Sequence, residues 1–221
     1  VSYAPGLIGA IMIGLSAAKA LSLATHIPYL GIHHVEAHLY AAIMGKTVDF
    51  PCIGVVLSGG HTSLVLMEDI GRYRLIGETQ DDAVGEAFDK VAKMLGLAYP
   101  GGPLIEKLAV EGDTKKYSFK TGKPKGKPYD FSFSGLKTSV LYTLQGQNRS
   151  ERLTQLLPQE KADVAASFQQ AVFEDISQKI SKALNEFNAS TVIFGGGVTN
   201  NRALRGFLQK KFPNNVLVFP E

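Results

Sequence analysis

The sequence predicts an α/β protein whose 221 residues belong to two lobes. Two observations support this prediction. Three short apolar segments with strand character follow one another within 53–78, and the next strand, at 191–194, comes only after several helical segments. A separate strand and helix unit precedes them. We therefore assign residues 1–48 to part of a first lobe and residues 49–221 to a second lobe.

The bulk composition is that of a globular protein in a reducing compartment. Hydrophobic residues make up 45% of the chain and charged residues 19%, which is typical of a domain with a buried core. The single cysteine, Cys52, excludes a disulfide within the sequence. The net charge of +3 is too small to indicate nucleic-acid binding by itself. We expect a cytoplasmic protein.

The first lobe begins with a long apolar segment, Gly6–Thr25, whose spacing predicts a helix. Because two serines and a lysine interrupt this segment, we expect a buried helix and no contact with a membrane. A short strand is predicted at Pro28–Ile32, and a second helix is predicted to end near Met44.

Three histidines and a glutamate open this second helix. His34 and His38 are four residues apart, so their side chains share one helix face and can bind one divalent metal ion. Histidines bonded to the backbone at a polar helix start explain the same pattern. In zinc proteases a glutamate directly follows the first histidine, whereas Glu36 lies two residues from each histidine and is expected to point away. The segment therefore indicates a metal site of a different type.

The second lobe has a characteristic order of elements. Strands are predicted at 53–58, 62–67 and 73–78, helices at 85–95, 103–110 and 161–187, a strand at 191–194, a helix at 200–211 and a last strand near 215–219. This order, three strands, then helices, then strand and helix again, fits the actin-like ATPase fold, which is ribonuclease H-like.

Two glycine turns fall where that fold handles nucleotides. Ser58–Thr62 contains two glycines and joins two strands, and Gly195–Gly197 leads into a helix that starts with Asn200 and Asn201. Glycine lets backbone N–H groups approach a phosphate, and a helix N-terminus attracts anions. Either turn alone is equally consistent with an ordinary hairpin. Their joint placement predicts a nucleotide site.

Two charged segments leave a functional and a structural interpretation open. Asp82, Glu86 and Asp89 are spaced to share a helix face, either as a solvated surface or as contacts to ribose hydroxyls or metal-bound water. Residues 115–128 carry six lysines between aromatic residues, which fits a nucleic-acid contact or a solvated loop. Ser134 is predicted to cap the helix that follows it.

Six motifs, in this order, resemble the bacterial tRNA adenosine threonylcarbamoyltransferase family, TsaD, once described as glycoproteases. They begin at His33, Leu57, Asp82, Tyr99, Phe131 and Gly195. The resemblance covers essentially the whole chain. It implies the two-lobed actin-like ATPase fold already predicted from the order of elements, with the second lobe near complete.

The resemblance also implies an activity and a set of site residues. The family transfers threonylcarbamoyl from threonylcarbamoyl-adenylate to the exocyclic amine of the adenosine 3′ of the anticodon, in tRNAs that read codons starting with A. It implies one divalent metal ion, iron or zinc, on His34 and His38. The implied substrate contacts are Leu57, Ser58, Gly59, Gly60, His61, Asp89, Gly102, Glu106 and Asn201, and Glu106 stands where the family has an aspartate. No general base is identified.

The implied partners are tRNA, the adenylate, a paralogous actin-like subunit and a small ATPase, with the 6–25 region as a candidate surface. A third metal ligand and an N-terminal phosphate-contacting hairpin of the family lie outside this sequence, so we expect this segment alone to be inactive. Two other hypotheses stay open, namely a non-catalytic nucleotide-binding scaffold of the same fold and a metalloprotease.

Overall fold

The computed structural model describes residues 1–145 and 156–220. Its elements in chain order are β1 (Ser2–Ala4), α1 (Ile8–Thr25), β2 (Ile32–His33), α2 (His34–Ile43), β3 (Cys52–Leu57), β4 (Thr62–Asp69), β5 (Arg72–Glu78), α3 (Val84–Met94), α4 (Gly101–Ala109), α5 (Ser134–Gln145), α6 (Pro158–Glu186), β6 (Thr191–Gly195), a 3₁₀ turn (Gly197–Asn200), α7 (Arg202–Lys211) and β7 (Val216–Val218).

Five of these strands form one mixed sheet in the order β5-β4-β3-β6-β7. β3, β4 and β5 pair antiparallel, as expected for a meander, whereas β6 and β7 add in parallel beside β3. The long connection through α3 to α6 is what brings β6 back to the middle of the sheet, as a parallel pairing requires. The carboxyl ends of β3 and β6 therefore lie side by side at the same end of the sheet.

The central strand β3 is buried on both faces, and its side chains alternate between two cores. Ile53, Val55 and Leu57 join the larger core, which the helices α3 to α7 cover. Cys52 and Val56 face the other core, which α2 covers. Burial raises the pKa of the Cys52 thiol to about 12, so this thiol is an inert part of the core.

Helix α2 comes close to the sheet because Gly54 leaves room for it. A Cβ atom on Gly54 would lie 2.8 Å from Cδ1 of Leu39, which is 2% exposed. Leu39, Ala42 and Ile43 form the buried side of α2. The opposite side of the helix is left to carry the histidines.

Two expectations for the first 33 residues are wrong. No residue of α1 is buried, although among the described residues it is the one helix that is long and apolar enough to cross a membrane. Among the described residues its principal neighbour is the short strand β1, which leaves most of its large apolar side chains exposed. The strand predicted at Pro28–Ile32 is reduced to the two-residue β2, which pairs in parallel with β1.

Candidate active site

The turn between β3 and β4 is closed by its own polar groups. The Ser58 N–H donates to the His61 carbonyl at 2.8 Å, and the His61 N–H donates to the Ser58 hydroxyl at 2.9 Å. The Ser58 and Thr62 hydroxyls thus serve the fold, because Ser58 accepts the His61 N–H and Thr62 accepts the Val84 N–H at 2.8 Å. Within the described residues, the N–H groups of Gly59 and Gly60 have no protein partner, so they remain available to a ligand.

Helix α3 begins against this turn. The Gly85 N–H donates to the Ser58 carbonyl at 3.2 Å. A Cβ atom on Gly85 would lie 2.8 Å from the Cα of Gly59, so glycine is needed for this approach. The turn is therefore braced from behind by α3.

Five of the nine predicted substrate contacts line one open cavity of about 410 Å³. Gly59 from the turn, Asp89 from α3, Gly102 and Glu106 from α4, and Asn201 before α7 line it. The remaining lining residues were not named as substrate contacts, although Gly197 and Asn200 belong to the second predicted glycine turn and the segment that follows it; they are Gly85, Phe88, Pro100, Pro103, Gly197, Val198 and Asn200. The prolines and glycines of the 99–103 turn were the sequence signal for part of this wall. Leu57 is fully buried in the larger core and supports the turn from below.

Two of the predicted glycines present bare backbone to the cavity. A Cβ atom on Gly59 or Gly102 would meet nothing within 4 Å. Asp89 holds the backbone just before Gly102, because its carboxylate accepts the Gly101 N–H at 2.7 Å. The wall thus leaves free space in front of these two glycines, and hydrogen bonds hold the backbone beside them in place.

Glu106 and Asn201 occupy the N-terminus of α7. The Glu106 carboxylate accepts the N–H groups of Arg202 and Ala203 at 2.7 and 3.2 Å, and the Asn201 amide oxygen accepts that of Leu204 at 2.8 Å. The prediction that this helix end binds an anion is wrong for these three donors, since a carboxylate already satisfies two of them.

The acidic residues predicted to share one helix face are divided between two places. α3 begins at Val84, so Asp82 lies before the helix. Asp82 is bonded to Lys90 and Lys137 at 2.7 and 2.9 Å, and Glu86 also pairs with Lys90. Only Asp89 of the three reaches the cavity.

The loop before α5 is held by the neighbouring Asp81. Its carboxylate accepts the N–H groups of Phe133 and Ser134 at 2.8 and 3.2 Å and the Ser132 hydroxyl at 2.6 Å. Ser134 is the first residue of α5. The prediction that Ser134 caps this helix is therefore replaced by a cap from Asp81.

Three histidines gather beside the cavity. The ring centroids of His34 and His38 are 4.5 Å apart, and those of His34 and His61 are 6.1 Å apart. The sequence predicted the first pair from helical spacing, but it assigned His61 to the substrate turn alone. One turn thus gives Gly59 to the cavity and His61 to this histidine cluster, which makes the two contiguous.

The surroundings of His38 and His61 favour neutral imidazoles. Burial lowers the pKa of His38, and the nearby rings of His34 and His61 lower it further. Burial also lowers the pKa of His61, with contributions from His34 and His33. Neutral imidazole is the form that ligates metals. Among residues 1–145 and 156–220, no group of three or more His, Cys, Asp or Glu side chains is placed to hold a metal ion together.

Glu36 is held away from the histidine cluster. The Tyr73 hydroxyl donates to its carboxylate at 3.0 Å. Burial and this hydrogen bond raise the pKa of Tyr73 to about 12, so the hydroxyl keeps its proton at neutral pH. His33 accepts the Glu36 N–H and caps α2, so His33 supports the helix start.

Fold and site together define an α/β protein of the actin-like ATPase type, as predicted. HypF from T. kodakarensis is similar with a TM-score of 0.69 at 16% identity, over 93% of this chain and 36% of that chain. Full-length HypF in a phosphate- and nucleotide-bound form gives 0.67 at 14% identity, over 90% and 41%. An activator of 2-hydroxyisocaproyl-CoA dehydratase from Clostridium difficile gives 0.51 at 11% identity, over 95% and 75%.

Within that class, the chain belongs to the TsaD family of tRNA N6-adenosine threonylcarbamoyltransferases, whose sequence profile matches residues 1–221. The protein of that description from Protochlamydia amoebophila is 55% identical over all of this chain and 65% of its own length. Its counterpart from Chlamydia felis is 49% identical over all of this chain and 64% of its own length. The resemblance drawn from the six motifs is confirmed, and the chain spans about 65% of these relatives.

Proposed function

We propose that the full-length protein containing this chain transfers threonylcarbamoyl from threonylcarbamoyl-adenylate to the exocyclic amine of the adenosine 3′ of the anticodon in tRNA. The observation that carries this proposal is the turn Ser58–Thr62, which joins the cavity to the histidine cluster. Family membership supplies the reaction class, and the contiguous cavity and cluster supply a place for both the nucleotide and the reacting group.

The residues of the cavity suit the adenylate in separate ways. The free N–H groups of Gly59 and Gly60 suit its negatively charged phosphate. Asp89 and Glu106 are carboxylates at the wall and suit the hydroxyl groups of ribose, while Asn201 is buried and positions α7 beside them. Glu106 replaces an aspartate of the family, and its second task as the cap of α7 fixes its oxygen at the wall.

The reaction requires one bond to form and one to break. The tRNA amine attacks the carbonyl carbon of the carbamoyl group, the bond from that carbon to the phosphate oxygen breaks, and AMP leaves with the electron pair. The amine loses a proton in the process. Holding the adenylate in a walled cavity beside the open histidine face supplies proximity and orientation. We assign the proton to no side chain of this chain.

The donor set of the histidine cluster fits two ligands of a divalent metal ion, which we propose to be iron or zinc. His34 and His38 lie on one face of α2, and burial lowers the pKa of His38, which favours its neutral imidazole form. Such an ion would supply Lewis-acid polarisation of a substrate oxygen. Glu36, tied to Tyr73, gives no support to a metalloprotease.

We further propose a cytoplasmic protein that works with tRNA, a paralogous actin-like subunit and a small ATPase. The exposed apolar side chains of α1 suit a protein partner. We infer that residues 1–48 and 49–221 belong to different lobes of the full-length fold, with α2 at their junction because it covers the sheet of the second lobe.

The proposal is tested with the full-length protein and its two protein partners. Labelled threonylcarbamoyl-adenylate and unmodified tRNA are supplied, and label in the tRNA is counted with and without a chelator. We expect chelator-sensitive labelling that falls at least about 100-fold in His34→Ala and His38→Ala variants. His26→Asn is the control and should label tRNA like wild type. It removes an exposed histidine outside the cluster, and asparagine tolerates the left-handed backbone, φ 57°, of that position.

Each outcome has a defined meaning. Unchanged labelling by the His34→Ala or His38→Ala protein would remove the metal role from that residue. Absence of labelling by the wild-type protein with every partner present would favour the non-catalytic scaffold. Metal-dependent peptide cleavage by pure protein that is lost in Glu36→Gln would favour the metalloprotease.

A further inference from the structure

A second polar cavity lies away from the adenylate cavity, between the lysine-rich loop and α6. It has a volume of about 240 Å³. The loop contributes Lys123, Pro124, Lys127, Pro128 and Asp130, and α6 contributes Asp175, Gln178, Lys179 and Lys182. Four lysines thus surround one small space. The sequence left a nucleic-acid contact and a solvated loop both open for residues 115–128 and indicated no role for α6.

The charges of this lysine cavity do not cancel. Lys127 lies 3.3 Å from the Asp130 carboxylate, and Lys179 is paired with Asp175. Lys123 and Lys182 have no carboxylate partner among the described residues, and the ammonium group of Lys182 lies over the Tyr129 ring at 5.4 Å. Lys123 and Lys182 are exposed, so two positive charges at the rim of the cavity are available to an anionic ligand.

The one carboxylate that α6 contributes to the wall is already committed to the protein. Asp175 is 5% exposed, and its carboxylate is paired with Lys179. Its Oδ2 atom is buried and has no hydrogen-bond partner among the described residues, so a ligand in the cavity meets the lysines and not this oxygen. The lysines therefore set the ligand chemistry, and they suit a phosphate group.

The lysine cavity is fixed at a short distance from the adenylate cavity. Gln169 of α6 accepts a hydrogen bond from Asn201 at the adenylate cavity, and Lys179 follows ten residues later, about 15 Å along the same helix. Asp130 accepts the Glu78 N–H at 3.1 Å. Glu78 lies at the same end of the sheet as the Ser58–Thr62 turn. A macromolecular substrate can reach both cavities at once, whereas a free nucleotide is too short.

We propose that the lysine cavity binds one phosphate group of the tRNA backbone, while the modified base lies at the adenylate cavity. This inference rests on the proposed function. Lys123 and Lys182 neutralise the phosphate, and the paired lysines Lys127 and Lys179 form the polar floor. The contact is to the backbone, so it positions tRNA without reading its sequence.

The test measures binding of unmodified tRNA to the full-length protein by fluorescence anisotropy at several salt concentrations. The cavity variant is Lys123→Ala with Lys182→Ala. The matched control, Lys120→Ala with Lys125→Ala, removes the same charge from exposed positions of the same loop that do not line the cavity. For the cavity variant we expect about tenfold weaker binding and a log–log salt slope that is less steep by about 1. The control should bind like wild type.

The outcomes separate this inference from the proposed function. Equal affinity of the cavity variant and wild type, or equal weakening in cavity variant and control, would overturn the lysine cavity and leave the transferase proposal standing. A wild-type protein that binds no tRNA even with its two protein partners present would overturn both. In a parallel calorimetric titration with inorganic phosphate, binding to wild type and not to the cavity variant, with tRNA affinity unchanged, would show a free-phosphate site and overturn the RNA contact.

Discussion

The adenylate cavity and the histidine cluster are neighbours, yet the protein builds them in different ways. The cavity is walled by backbone that is packed from behind: Gly85 against the Ser58–Thr62 turn and Gly196 against the carbonyl of Leu57. The histidine cluster stands on the open side of α2, where His34 is exposed and His38 is half-buried. The comparison shows that the packed glycines of the cavity wall are needed for the fold, whereas the histidines on the open side of α2 are available for chemistry.

The same contrast exists among the glycines themselves. Gly85 and Gly196 have no room for a methyl group, whereas Gly59 and Gly102 face open space. Glycine at the first two positions is required by the protein. Glycine at the other two is required by nothing in the described structure, so a bound ligand is the natural reason for it.

The largest effect is expected from Gly196→Ala. Gly196 has φ 93° and ψ 157°, a conformation that is essentially restricted to glycine. Its Cβ atom would also lie 2.4 Å from the Leu57 carbonyl oxygen. We expect the free energy of unfolding to fall by about 3 kcal/mol or more. Urea denaturation of the purified protein measures this change.

Gly102→Ala is the matched variant, because it adds the same methyl group at a helical position that faces the cavity. Its free energy of unfolding should be unchanged or slightly higher, since alanine favours helix. Binding of AMP, measured by calorimetry, should weaken about tenfold because the methyl group takes ligand space. Equal destabilisation by both substitutions would show that the cavity wall is not open at Gly102.

The periodic part of this fold could be predicted from sequence, and contacts distant in sequence could not. The meander of β3 to β5 follows from three short apolar segments and a glycine turn, and the long α6 follows from helical spacing. Helical spacing also placed His34 beside His38. His61 was missed as a member of the histidine cluster, because only the closed turn and the position of α2 bring it there.

Two further errors have the same cause. Glu106 caps α7 across 96 residues of chain, so the sequence around Asn201 showed a free helix end where the structure has a carboxylate. Helix α1 is as apolar as a core helix, yet it has no described surface to pack on. Local pattern gives the kind of element, while burial depends on the presence of a partner surface.

The next prediction concerns the ion network around Asp82. Burial raises the pKa of Asp82, but hydrogen bonds and charges from Lys90 and Lys137 outweigh burial, and the net pKa lies below its ordinary 3.8. The network therefore stabilises the fold above that value, and the contribution is lost as pH falls through the folded pKa. Asp82→Asn should lower the free energy of unfolding at pH 7 by about 1.5 kcal/mol.

This difference between wild type and Asp82→Asn should shrink below pH 4, as measured by urea denaturation at a series of pH values. Asp49→Asn, at an exposed position, is the control and should follow wild type throughout. A difference that stays constant down to pH 2 would mean that Asp82 contributes through packing and not through its charge.

The smallest effect on stability is expected at the histidine cluster. His34→Ala and His38→Ala should each change the free energy of unfolding by less than about 0.5 kcal/mol, because neither ring belongs to a core. Leu39→Ala, on the buried side of the same helix, should cost about 2–5 kcal/mol. If the histidine variants lost as much stability as Leu39→Ala, the rings would be structural and their loss of activity would say nothing about chemistry. Unchanged stability together with lost transfer assigns the cluster to the reaction, since the fold around the cavity would then be intact.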